Sequence, residues 1–166
     1  MIKMLLSIAF ALFIYGRSLA QTCGTDGILL ETQAQVDAFA TTYPGCTQVG
    51  QLEITGPGIV NLNGLGGIAS IQGDLNLHDC PNLTTMGGFN LSGAGALSLT
   101  NNPLLTDFAG FEAVTSLGLS VVNCPAITSL SGLGNVASLP NLHVEGTGIT
   151  NLLLLLPSPS QAMSSS

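Results

Sequence analysis

Residues Leu97–Phe111 read LSLTNNPLLTDFAGF, and 22 residues later, at Leu119–Leu133, the chain reads LSVVNCPAITSLSGL. Few side chains are kept outside the apolar positions, yet the leucines, an asparagine, a proline and a glycine return at the same offsets. Aligned on its Leu-x-Leu pairs, the chain shows Leu52/Ile54, Leu75/Leu77, Leu97/Leu99, Leu119/Val121 and Leu142/Val144, in steps of 23, 22, 22 and 23. A second column holds Ile59, Leu83, Leu105, Ile127 and Ile149, and a third holds Leu62, Met86, Phe108, Leu130 and Leu152. Gly64, Gly88, Gly110 and Gly132 precede Leu65, Phe89, Phe111 and Leu133. Five aligned copies, differing by one or two inserted residues, are an internal repeat at solenoid period.

Such copies must stack. One of them turns inward Leu97, Leu99, Leu105, Phe108, Phe111 and Val114. Burying those side chains once falls short of the entropy lost in ordering a whole coil of backbone. Only neighbours that share faces and backbone hydrogen bonds tip the balance. Leu97 and Leu99 in, Ser98 and Thr100 out, is the alternation of a strand. The predicted fold is therefore mainly β, a parallel β-solenoid with coils of 22–23 residues lying about 4.8 Å apart.

After each Leu-x-Leu pair comes Asn102, Cys80 or Cys124, with Pro57 and Thr147 in the same column. A small polar residue there turns inward and satisfies backbone groups at the bend, and Pro81, Pro103 and Pro125 fix the turn that follows. Cys80 and Cys124 then lie two coils apart, about 9–10 Å, beyond the roughly 7 Å that a disulfide spans. Both are read as buried free thiols. The N-terminal part differs. Thr32-Gln33-Ala34-Gln35 is a capping box, Val36, Phe39, Ala40 and Tyr43 line one helical face, and Pro44-Gly45 stops it. A short strand at Ile28–Leu30 and one short capping helix over the first coil are expected. Cys23 and Cys46 flank this unit, and pairing them would contribute about 3 kcal/mol.

Lys3, the apolar run MLLSIAFALFIY and small residues at Ser18 and Ala20 have the layout of a cleavable export signal over residues 1–20. The expected organisation is signal 1–20, cap 21–47, about five coils over 48–156 with the last incomplete, and a tail 157–166 of disordered composition. Export favours a disulfide and places the chain outside the cell or at its surface, without a membrane span after cleavage. Lys3 and Arg17 are the only lysine and arginine, so the formal charge of −7 becomes −9 once both are removed. A chain without cations cannot neutralise phosphates, which excludes nucleic acid as a partner.

The stretches CTQVGQLEI (46–54), LNLHDCPNLTTMGGF (75–89) and QAQVDAFATTYPGC (33–46) resemble the receptor L-domain, a leucine-rich-repeat-like solenoid of growth-factor-receptor ectodomains, and its secreted bacterial relatives. The resemblance covers roughly residues 23–151. It implies a non-catalytic surface module that binds a protein on its solenoid face. The chain departs from that pattern where LLLLL (152–156) replaces the closing Leu-x-Gly-Leu and Leu154 takes the glycine position. That suggests a fragment, or a frame-altered end, of a longer solenoid.

No catalytic residue, metal site or cofactor is expected. His78 and His143 lie three coils apart, and Asp79 beside His78 should face the other way on a strand. Glu53, Asp74, Asp107 and Glu145 form no pair at hydrolase spacing. A polysaccharide-active solenoid enzyme and an ice-binding protein are remote alternatives. The latter would use Thr84, Thr106, Thr128 and Thr150, whose second column reads Thr85, Asp107, Ser129, Asn151. Hydrogen bonding along the stack explains those threonines more simply. The sequons at Asn82 and Asn90 matter only in a host that glycosylates them. The candidate binding face consists of two outward columns: Glu53, Asn76, Ser98, Ser120, His143, and Thr55, His78, Thr100, Val122, Glu145. Its expected partner is an unidentified protein or neutral ligand at the cell surface. The competing expectation is a structural spacer of a longer adhesin-like protein.

Overall fold

Parallel pairing is what a repeat of 22–23 residues must produce, because each coil returns the chain to the same side in the same direction. The computed structural model describes residues 21–150. The expected export signal, Leu152, the LLLLL run and the tail lie outside the described residues. Eight strands form one sheet: β1 (Gln21–Cys23), β2 (Ile28–Leu30), β3 (Cys46–Val49), β4 (Leu52–Thr55), β5 (Ser70–His78), β6 (Gly93–Thr100), β7 (Gly118–Val122) and β8 (Leu142–Glu145). Every pairing is parallel, and the chain is a β-solenoid of about five turns. The main ladder runs β2-β4-β5-β6-β7-β8, with Leu52, Leu75, Leu97, Leu119 and Leu142 in register.

A second, shorter ladder accompanies it, joining β1, β3 and the first halves of β5 and β6. Its register explains the uneven step in the repeat. Ile71 pairs with Ala94 and Asp74 with Ala96, so Gln72 and Gly73 together oppose the single residue Gly95. This bulge places the extra residue of the first 23-residue step, from Leu52 to Leu75. The chain bends between the ladders at Gly50, Gly73 and Gly95, which lie one over another. A Cβ on Gly73 would sit 2.9 Å from the Gly50 carbonyl oxygen, and one on Gly95 2.7 Å from that of Gly73. No side chain fits there.

The leucine columns form a single core. Leu62, Met86 and Phe108 are fully buried, as are Ile59, Leu83, Leu105 and Ile127. Two further inward columns, Ile68/Leu91/Val114/Val136 and Ile71/Ala94/Leu117/Leu139, complete each coil. Only Val114 among them was evident from the repeat, since aliphatic residues without a fixed neighbour leave a weak pattern. Gly88, Gly110 and Gly132 turn the chain with φ of 119°, 90° and 97°, which side-chain-bearing residues rarely adopt.

The segment 21–47 is itself the first rung of both ladders, since β1 pairs with β3 and β2 with β4. Its return stretch is two short helical turns, α1 (Gln33–Asp37) and α2 (Phe39–Thr42), where one helix was expected. The Thr32/Gln35 capping box is formed. Val36 and Phe39 are buried, whereas Ala40 is exposed: the break at Ala38 resets the helical register and turns it out. Gln33 fastens this segment to the next coil, its amide oxygen accepting from Val60 N–H at 2.9 Å and its amide nitrogen donating to the Asn61 carbonyl at 3.1 Å. Gly64 faces the Val36 carbonyl so closely that a Cβ would overlap it. Cys23 and Cys46 form a disulfide across 6.0 Å between their Cα atoms.

Asn102 is the one buried polar side chain among the described residues. It accepts from Cys80 N–H at 3.0 Å and donates to the Leu77 carbonyl at 2.9 Å, both in the preceding coil. Cys80 and Cys124 fill the same column in the adjacent coils, the Cys80 thiol donating to the Ile54 carbonyl of the preceding coil at 3.9 Å and the Cys124 thiol to the Val122 carbonyl at 3.4 Å. Cys80 and Cys124 are free and buried, and burial pushes the Cys80 thiol up to about 11.

Candidate strand-face site

The strands β4 to β8 expose alternate side chains, and the pairing register assembles these into ladders. Glu53, Asn76, Ser98, Ser120 and His143 are successive partners in one, Thr55, His78, Thr100, Val122 and Glu145 in the other. All ten predicted positions therefore share one face. Sequence reasoning missed a third outward column, Asp74, Ala96, Gly118 and Asn141, two residues before the Glu53 series. Its smallest members carry no chemical signature, though the period-two spacing from Asn76 would have located it. Leu29, 48% exposed, heads the Glu53 column from β2.

Size varies along this face in a regular way. The central strands β6 and β7 carry Ala96, Ser98, Gly118 and Ser120, while β5 carries Asp74 and Asn76, and Asn141 and His143 stand at β8. The result is a depression of ≈ 380 Å3 over β6 and β7. A second depression, ≈ 280 Å3, is lined by Glu53, Asn76, His78, Asp79, Ser98 and Thr100. A third, ≈ 200 Å3, reaches from Asn76 and Glu53 to Asp26 and Leu29. All three share Asn76 in their lining, so they lie side by side on the face.

One expectation about His78 is overturned here. Asp79 was expected to face away from it, but Asp79 has a left-handed backbone with φ 54°, which breaks strand alternation. Its carboxylate reaches His78 Nδ1 at 2.9 Å. Glu53 joins them: its Oε1 lies 3.0 Å from His78 Nε2, since Glu53 and His78 are diagonal neighbours on paired strands. The Asp79 and Glu53 carboxylates raise the His78 pKa, Asp79 contributing most. The His78 ring, helped by Asn101, holds the Asp79 pKa below its ordinary value. Both ring nitrogens are engaged, so neither is free to take a proton from Ser98 or Thr100.

Asp79 opens a further ladder. Asn101 and Asn123 also have left-handed backbones, φ 56° and 55°, as asparagine tolerates. Asn101 donates to Asp79 at 2.9 Å and Asn123 to Asn101 at 3.1 Å. The signal was present in the repeat as Asp79, Asn101 and Asn123 at steps of 22, one residue ahead of the column that drew attention. Elsewhere, Thr106 donates to the Thr84 carbonyl at 2.9 Å and Asp107 accepts from Thr85 at 2.9 Å, so this pair of columns is bonded along the stack. Asn151 lies outside the described residues. His143 approaches Glu145 at 3.5 Å.

Among the described residues, no three His, Cys, Asp or Glu side chains converge on a point that a metal ion could occupy. No helix among them is long and apolar enough to cross a membrane. Compared with known proteins, the chain matches no family model, no curated protein and no solved structure.

Proposed function

We propose that the protein is a non-catalytic interaction module of the cell exterior, of the receptor L-domain and leucine-rich-repeat kind, which receives a protein or neutral ligand on its strand face. The observation that carries this reading is the strand face itself: outward columns held in register by the ladder, opening over β6 and β7 into a depression of ≈ 380 Å3. A site built on strands is held more rigidly than one built on loops. The Cys23–Cys46 disulfide is consistent with an exported chain. The segment holding α1 and α2 acts as the N-terminal cap of the solenoid, which its Gln33 bonds to the next coil support.

A second reading, a structural spacer of a longer adhesin-like protein, is favoured by one observation. Part of the outward chemistry is consumed in bonds between coils, from Glu53 through His78 and Asp79 to Asn123. Replacing Ser98 and Ser120 by arginine separates the two. The purified protein and the S98R/S120R variant are immobilised and offered the same extracellular fraction, with circular dichroism confirming an unchanged fold. The binding module loses its specific partner by ~10-fold or more. The spacer retains no specific partner to lose, and that outcome removes the first reading.

A further inference from the structure

We propose that the depression over β6 and β7 seats an extended, lysine- or arginine-bearing peptide segment of a protein partner. This rests on the strand-face reading above and names the partner that the face would take. Three observations converge. The first is shape. The depression spans the strands from β5 to β8, floored by Ala96, Ser98, Gly118 and Ser120 and walled by residues of β5 and of β8 and its approach. Three ladder steps separate those walls, about 14 Å, which admits one extended chain with its side chains directed at either wall. The floor has no aromatic ring on which a sugar could stack.

The second observation is unspent hydrogen-bonding capacity. His78, Asp79, Asn101 and Asn123 are bonded to one another. By contrast, the side chains of Asp74, Asn76, Ser98 and Ser120 make no hydrogen bond among the described residues, and all four line this depression. Their hydroxyls, amide and carboxylate present donors and acceptors to a peptide backbone. The third observation is charge. Residues 21–150 carry all nine acids of the chain and neither its lysine nor its arginine. Asp74 on the near wall is exposed and unpaired, and Glu53, Asp79 and Glu145 lie further along the same face. A cationic segment is drawn to this field and an anionic one repelled.

The test uses the purified protein and three fluorescent octapeptides, alternating serine with lysine, glutamine or glutamate, followed by anisotropy at low and moderate salt. The lysine peptide should bind tightest, and its affinity should fall as salt rises. Asp74→Asn, isosteric and exposed, should weaken it by roughly 3- to 10-fold and flatten the salt dependence. Ser120→Arg should abolish it. Glu112→Gln, on the return stretch between β6 and β7 and away from the depression, should leave it unchanged. Equal binding of the glutamine peptide, or equal loss from Glu112→Gln and Asp74→Asn, overturns the proposal, the latter by showing non-specific attraction. Absence of lysine-peptide binding also overturns it. If the S98R/S120R protein still loses its captured partner in that case, the strand face stands and only the partner class fails.

Discussion

The first coil and the middle coils solve the same problem by different means. A middle coil, such as the one holding β6, has an in-register neighbour on each side. It closes with glycine turns, apolar columns and the buried Asn102, and it needs no covalent tie. The first coil, among the described residues, has a coil on one side only. Its return stretch is helical, so its backbone bonds are satisfied within the segment. Its two ends are tied by Cys23–Cys46. Repetition supplies stability where neighbours exist, and local structure with a cross-link supplies it where they do not.

The strongest way to break that contrast is to open the middle of the stack. Phe108 is fully buried, and Phe108→Ala should cost about 3–5 kcal/mol, read as a lowered denaturation midpoint for the whole chain. A loss confined to one coil would show that the coils do not fold together. At the other region, Cys23→Ser with Cys46→Ser should cost about 3 kcal/mol. Hydrogen exchange should accelerate in β1, β2 and the helical turns before it does in β6 and β7. Uniform acceleration would contradict a locally secured first coil.

Asn102→Ala leaves the Cys80 N–H and the Leu77 carbonyl without partners and should cost about 2 kcal/mol in chemical denaturation. Asn102→Cys should lose less, because Cys80 and Cys124 occupy the same column in adjacent coils. Equal losses would mean that the cysteines do a different job there.

The smallest effect is a pH dependence at His78. Its pKa is raised above the ordinary 6.5, so its contribution to stability is complete below about 6.5 and is lost as pH rises through the raised value. The Asp79 pKa is lowered from 3.8, so its contribution is present above that value and is lost as pH falls through the lowered one. Melting temperatures should therefore decline as pH rises above about 6.5 and through that raised value, and His78→Gln should remove that decline. A decline that persists in the variant would place its origin elsewhere.

Much of this was legible before any coordinates. The register of Leu52, Leu75, Leu97, Leu119 and Leu142, the inward Asn102, the free Cys80 and Cys124, and the ten outward positions of the strand face all follow from period. Asp79 was misplaced because strand alternation was carried one residue too far, past the point where a left-handed residue reverses the side chain. Ala40 was misplaced because the helical period was carried through a break at Ala38. The depression was not legible at all, since it is made of what is small: Ala96, Gly118, Ser98 and Ser120 leave space, and a linear pattern does not register space.

By itself the sequence determined the stacking, because a repeat of hydrophobic columns can be buried in only one way, each coil against the next. It also determined the charge and the sites of the thiols, which are properties of composition and spacing. Tertiary structure alone decided which outward side chains are spent and which are free. Hydrogen bonds across coils depend on a few backbone angles, such as the φ of Asp79, and on distances of about 3 Å that no periodicity encodes.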